Sequence, residues 1–457
     1  MPGGSIRKIA RTVVMNTKAD AELRAPQIVS TAANNVLETG KANGVFFADY
    51  EPKEVTKNKK PLTFTVSLFF DGTRNNRNNT DARKADNEVY KKHKNEVSFN
   101  NGYSNVGILE RYNFRDPEER KLSIYIEGIG TEDNKGDSLI GSAIGTGSTG
   151  IPAKVKKGIN AMCTEIYRMV DPKIEYIEKI EVDAFGFSRG AAAARNFVHL
   201  AQDAAAKQLQ IAKTKVIYRF VGLFDTVSSY GLSFSNDTED LGMDIGGNAK
   251  KVVQLTAADE HRKVFSLTDI RSSIGAGVGY ELELPGAHSD IGGGYEAEEE
   301  EERLIETALE GQGVIAGARD AIVREGWYTK DQLYERLQPM GDNYYTMVTR
   351  LYGKRTVTGG YQYIPMNIMK QLAEKNGMQF NDMGKRFEVP PDMEQVKSTL
   401  VQQGVAGDGA HKKALSLPPE QLRPLRNKYL HRSANPSSLA MLGRYKDGKP
   451  YRVIHAG

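Results

Sequence analysis

A chain of 457 residues with 39% apolar and 26% charged residues has enough apolar content to bury a large core, which sets it apart from disordered sequences. Its 62 basic and 58 acidic residues leave a formal charge of +4, too small a surplus to point to nucleic acid. The single cysteine, Cys163, excludes a disulfide within the chain and suits folding in a reducing cytosol; it lies in an apolar periodic segment and reads as core.

In chain order, Met1–Val14 carries Arg7, Lys8 and Arg11 but lacks the apolar run of a signal peptide. No stretch approaches the roughly 20 apolar residues of a spanning helix. Synthesis in the cytoplasm is expected, with any export left to machinery that ignores signal peptides. Residues 1–60 read as an N-terminal extension, with a helix around Pro26–Leu37 and a basic linker at Lys57–Lys60. Leu62–Phe70 alternates and then becomes continuously apolar, as a buried strand does, and runs into the turn Asp71-Gly72-Thr73. The polar, Asn-rich residues 74–118 are expected to form a long surface insertion. A second strand, Lys121–Ile126, leads into Glu127-Gly-Ile-Gly-Thr131. After a Gly/Ser-rich loop, Gly141–Gly150, the residues Val155, Ile159, Met162, Ile166 and Met169 recur at helical spacing.

A third strand, Lys179–Phe185, enters Gly186-Phe187-Ser188-Arg189-Gly190 and the helix Ala191–Leu209. A fourth, Lys215–Phe224, ends at Asp225; a fifth, Tyr280–Leu284, ends at Pro285-Gly-Ala-His288. Strands alternating with helices predict an α/β fold, α/β-hydrolase-like, with a largely parallel sheet flanked by helices and a helical C-terminal region. The five-glutamate run Glu298–Glu302 reads as the solvated start of a helix continuing through Leu304–Ala321. Trp327–Ser416 reads as helices broken by polar loops, and Tyr451–Ile454 as a short strand. The expected organisation is an extension over 1–60, a catalytic core over 61–326, and a mainly helical region over 327–457 whose end returns to the core.

The sharpest chemical signal is Gly186–Gly190 in its setting. A serine hydroxyl becomes a useful nucleophile only when exposed, rigidly held and served by a base. A strand–turn–helix elbow with flanking glycines provides the first two, which makes Ser188 the candidate nucleophile. Of the seven histidines only His288 follows a strand among glycines, so it is the candidate base, with His431 as competitor. Asp225 closes a strand between the two and is the candidate acid, in the chain order Ser, Asp, His. Asp290 stands too close to His288 in sequence and is expected to bind a nearby turn. Oxyanion donors are expected from the Arg189 N–H and from Gly72 or Thr73. The Gly141–Gly150 loop lacks the Gly-Lys-Ser/Thr ending of a phosphate loop. No cofactor is called for, and although Asp71, Asp290 and Glu127 carry oxygens a hard cation would accept, no spacing demands a metal. A cover over the site is expected from Ser228–Ile245 or from residues 74–118.

Five ordered blocks resemble one family. They are Phe69-Phe-Asp-Gly-Thr73 with Asn75-Asn76, Glu127-Gly-Ile-Gly-Thr131, Phe185-Gly-Phe-Ser-Arg-Gly-Ala-Ala-Ala-Ala-Arg195, Gly222-Leu-Phe-Asp-Thr-Val227 and Pro285-Gly-Ala-His-Ser-Asp-Ile-Gly-Gly-Gly-Tyr295. Together they resemble the lipase effectors of the bacterial type VI secretion system, in the phospholipase family built around a GxSxG elbow. The resemblance covers about residues 62–300, with Glu127 standing where the family is expected to carry aspartate. It implies an α/β-hydrolase core, phospholipase A activity on membrane glycerophospholipids, and Ser188, Asp225 and His288 as a triad. It further implies a type VI spike component as carrier, the periplasm of a rival cell as place of action, and a cognate immunity protein. Two other readings stand beside it: an esterase or thioesterase acting on soluble acyl esters, and a non-catalytic binding or delivery module on the same fold.

Overall fold

The computed structural model describes residues 59–138, 147–228, 242–309, 313–340, 343–407, 409–436 and 441–457. The expected extension with its helix around Pro26–Leu37, most of the Gly141–Gly150 loop and most of the Ser228–Ile245 cover lie outside them.

Among the described residues seven parallel strands form the central sheet: β1 (Lys60–Phe70), β2 (Lys121–Ile126), β3 (Glu175–Phe187), β4 (Val216–Phe224), β5 (Ala249–Ala257), β7 (Gly279–Leu284) and β11 (His411–Ala414). A two-residue strand, β6 (Leu267–Thr268), lies outside this sheet. The order is β11-β7-β5-β4-β3-β1-β2, with every neighbouring pair parallel. A parallel sheet needs cover on both faces, and the strands read accordingly as apolar runs. On β1 the two faces divide the residues: Phe64, Val66, Leu68 and Phe70 enter one core, and Phe69 the other. The first core is closed by the helices Ile151–Arg168 and Arg189–Leu209, which contribute Val155, Ile159, Met162, Ile166 and the alanines 191–194. Cys163 is buried there, as its apolar setting predicts. The second core is closed by the helices Tyr363–Lys375 and Glu394–Val405, through Ile364, Met369, Leu372 and Leu400. Each such fully buried side chain contributes roughly 1.5–3 kcal/mol relative to exposure.

Three sequence expectations are corrected. Glu298–Glu302 opens not a helix but a strand, β8 (Glu298–Leu309), and the C-terminal region carries strands as well as helices: β9 (Leu333–Met340) and β10 (Asn343–Thr358). These three form a second, antiparallel sheet in the order β8-β10-β9. Its register places Glu301 opposite Arg355 and Glu302 opposite Lys354, so charge on one strand is answered by the other. Residues 74–118 are not simply a surface insertion: the helix Asn105–Tyr112 buries Val106, Ile108 and Leu109 against the second core. The third miss is β5, whose Lys250, Lys251 and Gln254 hid a strand of the central sheet. At the far end Ile454–His455 pairs in parallel with β6. No helix among the described residues is long and apolar enough to cross a membrane.

Candidate active site

The candidate residues meet at the C-terminal ends of β1, β3, β4 and β7, the edge where α/β sheets place their ligands. β3 ends at Phe187 and the helix Arg189–Leu209 begins at once, leaving Ser188 alone in the turn with φ 59 and ψ −127. That backbone is one few non-glycine residues adopt. Both flanking glycines are required: a Cβ on Gly186 would strike Ala191, and one on Gly190 would strike the carbonyl oxygens of Phe70 and Asp71. The elbow is closed by its neighbours, with Ser188 N–H donating to Phe224 O at 3.0 Å and Val227 N–H donating to Ser188 O.

One residue after Phe224, Asp225 also takes a left-handed conformation, φ 46, and its N–H donates to Leu255 O at 2.7 Å. Its carboxylate reaches the imidazole of His288, Nδ1 to Oδ2 at 2.5 Å, with both side chains buried. His288 opens the short helix that follows β7, and the rings of Phe187 and Phe265 stand against it at 4.7 Å each. The chain thus brings Ser188, Asp225 and His288 to one place. Burial pushes the His288 imidazole below its ordinary value, although Asp225 pulls the other way. For Asp225 burial favours the neutral acid, but the positive charge of Arg452 and the bond to His288 hold it well below the usual carboxylate range.

The competitors are engaged elsewhere. Asp290 accepts the Ala287 N–H at 2.8 Å, as a turn-binding residue should, and also pairs with His431 Nδ1 at 2.8 Å. Asp71 accepts from Ser104 Oγ, Tyr125 OH and its neighbour's N–H, and Glu127 is held by Lys154 and Lys157. Among the described residues no group of His, Cys, Asp and Glu is arranged to hold a metal.

The turn Asp71-Gly72-Thr73 packs directly under the elbow, where Arg189 Nε donates to Thr73 Oγ1 at 2.9 Å. The Gly72 N–H, one of the two candidate oxyanion donors in that turn, is turned onto Asp71 Oδ1 at 2.7 Å. Arg189 opens its helix, and the amides of a first turn point out from the helix end. Ser104 ties this turn to the histidine loop: its hydroxyl bonds Asp71, and its backbone bridges Gly293. Two neighbours of the site carry no local sequence signal. Arg452, 227 residues beyond Asp225, grips that carboxylate with two nitrogens, and Glu260 lies 3.4 Å from the His288 N–H.

The family described as "T6SS, Phospholipase effector Tle1-like, catalytic domain" matches residues 65–206 and 201–310, more than half of the chain. Among solved structures, a Tle1 effector bound to the VgrG spike of the type VI secretion system is similar over 87% of this chain and 94% of that one. Its TM-score is 0.59 at 24% identity, and it supports the fold. An uncharacterized protein from Pseudomonas aeruginosa aligns over 80% of this chain and 53% of that chain, with 16% identity and a TM-score of 0.44, too distant to carry an argument. No curated protein matches. With the family matched across the sheet and all three candidate positions, this chain belongs to the Tle1-like phospholipase effectors of the type VI secretion system and is a hydrolase.

Proposed function

We propose that the chain is a phospholipase A, a serine carboxylic-ester hydrolase that releases fatty acid from membrane glycerophospholipids through Ser188, His288 and Asp225. The observation that carries this reading is the 2.5 Å contact of His288 Nδ1 with Asp225, set beside a serine held in a left-handed turn. With the Nδ1 proton donated to the carboxylate, Nε2 is the basic nitrogen. It takes the Ser188 proton as Oγ bonds to the ester carbonyl carbon and the carbonyl π pair moves onto oxygen. The Arg189 and Thr73 N–H groups are the proposed donors to that oxyanion. As the pair returns, the C–O bond to the glycerol breaks and the imidazolium gives its proton to the departing lysophospholipid oxygen. Water then attacks the acyl-serine by the same route, releasing the fatty acid and restoring Ser188.

The relative solved with a VgrG spike supports a spike component of that kind as the proposed carrier. The proposed place of action is the periplasm of a target cell, with a cognate immunity protein guarding the producer. The test is fatty-acid release from defined phospholipids. Wild type should release fatty acid and react with a fluorophosphonate; Ser188→Ala should do neither while melting at nearly the same temperature. Full labelling of the alanine variant would sink the reading. In cells, toxicity should appear only when a signal peptide sends the protein to the periplasm, and only with Ser188 intact.

A further inference from the structure

The chain returns to the active site at its far end. Residues 451–457 run as a strap along Phe265–Ser272: Leu267 N–H donates to Val453 O, Asp269 N–H to His455 O, and Ser272 N–H to Gly457 O, at 2.9–3.0 Å. From this strap Arg452 reaches inward. Its Nε donates to Phe265 O at 2.7 Å, while Nη1 and Nη2 take Asp225 Oδ1 and Oδ2 at 2.7 and 2.8 Å. With Ala257 N–H on Oδ1 and His288 on Oδ2, the carboxylate takes four hydrogen bonds from the described residues, two on each oxygen.

We propose that Arg452 is a positioning residue of the active site, which fixes the plane of the Asp225 carboxylate and neutralises its charge so that His288 rests as the uncharged base. This rests on the triad reading above. The fork of a guanidinium matches a carboxylate through two parallel bonds, a geometry that an ammonium group cannot reproduce. Without that cation, a buried Asp225 would draw a proton onto His288 to balance its charge. Among the described residues the other charged groups facing this pair are Glu260 and Arg262; Glu260 favours the imidazolium and Arg262 opposes it.

The experiment follows hydrolysis of a soluble chromogenic ester across pH by full-length protein. Arg452→Gln should lower kcat by about 10²-fold through lost alignment, with KM little changed. Its acid limb should move to higher pH. Arg452→Lys, with the charge but not the fork, should keep the acid limb and recover part of kcat. A folded Gln variant with wild-type kcat and acid limb overturns the inference. If the Gln variant does not fold, a Lys variant with wild-type kcat overturns it instead. Ser188→Ala, with Arg452 intact, separately tests the triad: hydrolysis surviving in that variant refutes the serine mechanism rather than the strap.

Discussion

The ring of Phe187 lies 4.7 Å from the imidazole of His288, and one edge of it fills the space that a side chain on Gly292 would need. The residue before the candidate nucleophile is therefore the surface on which the candidate base rests. Gly292→Ala should push that ring, costing about 1–3 kcal/mol of stability as overpacking does. It should also lower kcat more than it raises KM, because the imidazole moves with the ring. Urea unfolding and ester kinetics on the same variant check both; wild-type values in each would contradict the packing argument.

Asp225 and Asp290 should separate cleanly. Asparagine tolerates the left-handed backbone at position 225, so Asp225→Asn changes charge and hydrogen bonding more than conformation. It should lower kcat by about 10⁴, as loss of the orienting aspartate does in another triad fold. Asp290→Asn should act on stability, since Asp290 holds the Ala287 and His431 N–H groups and the His431 ring. Leaving such buried partners imperfectly satisfied costs about 1–3 kcal/mol. A dead Asp290→Asn beside a near-normal Asp225→Asn would reverse the assignment of the acid.

The pH dependence follows from burial of His288. Its folded value lies below the ordinary imidazole, so the neutral base persists as pH falls and is lost only when pH passes through that lowered value. The acid limb of kcat/KM on a soluble ester should lie below about 6.5, the unperturbed histidine value. A limb above it would mean that Asp225 outweighs burial.

The second sheet depends on a buried ion pair. Arg355 bonds Glu301 at 2.8–2.9 Å and also donates to Trp327 O, Asn427 O and Leu430 O. Arg355→Met would leave the buried Glu301 carboxylate with the more distant Arg303, at 3.6 Å, as counter-charge, and losing one partner of a buried pair costs about 3–5 kcal/mol. Restoring neutrality with Glu301→Gln in the same chain should recover part of that loss. Denaturant midpoints of the single and double variants decide it.

This pair also explains where the sequence was opaque. Five consecutive glutamates look like a solvated helix start because the residues that balance them, Lys354 and Arg355, stand some fifty positions away on β10. β5 hid for a related reason: Gln254 is buried yet satisfied by Glu281 and Thr268 across the fold. By contrast β1, β3 and β4 are local apolar runs; Ser188 and Asp225 follow β3 and β4 directly, and His288 comes four residues after the end of β7, so their positions were legible. Arg452 was not, since nothing near it in the chain indicates that it would meet Asp225.

The left-handed backbone of Ser188 has a consequence for how this protein can evolve. A non-glycine residue held at such a φ/ψ costs on the order of 1–3 kcal/mol, which the rest of the fold must absorb. Glycine adopts that conformation without steric conflict, at the expense of greater freedom in the unfolded chain. Ser188→Gly should therefore be more stable than Ser188→Ala by about 1 kcal/mol, and no less stable than wild type, while hydrolysing nothing. If both variants melt together, the turn stores no such tension. Otherwise drift toward greater stability at this position leads away from catalysis, and the serine persists only where selection maintains the activity.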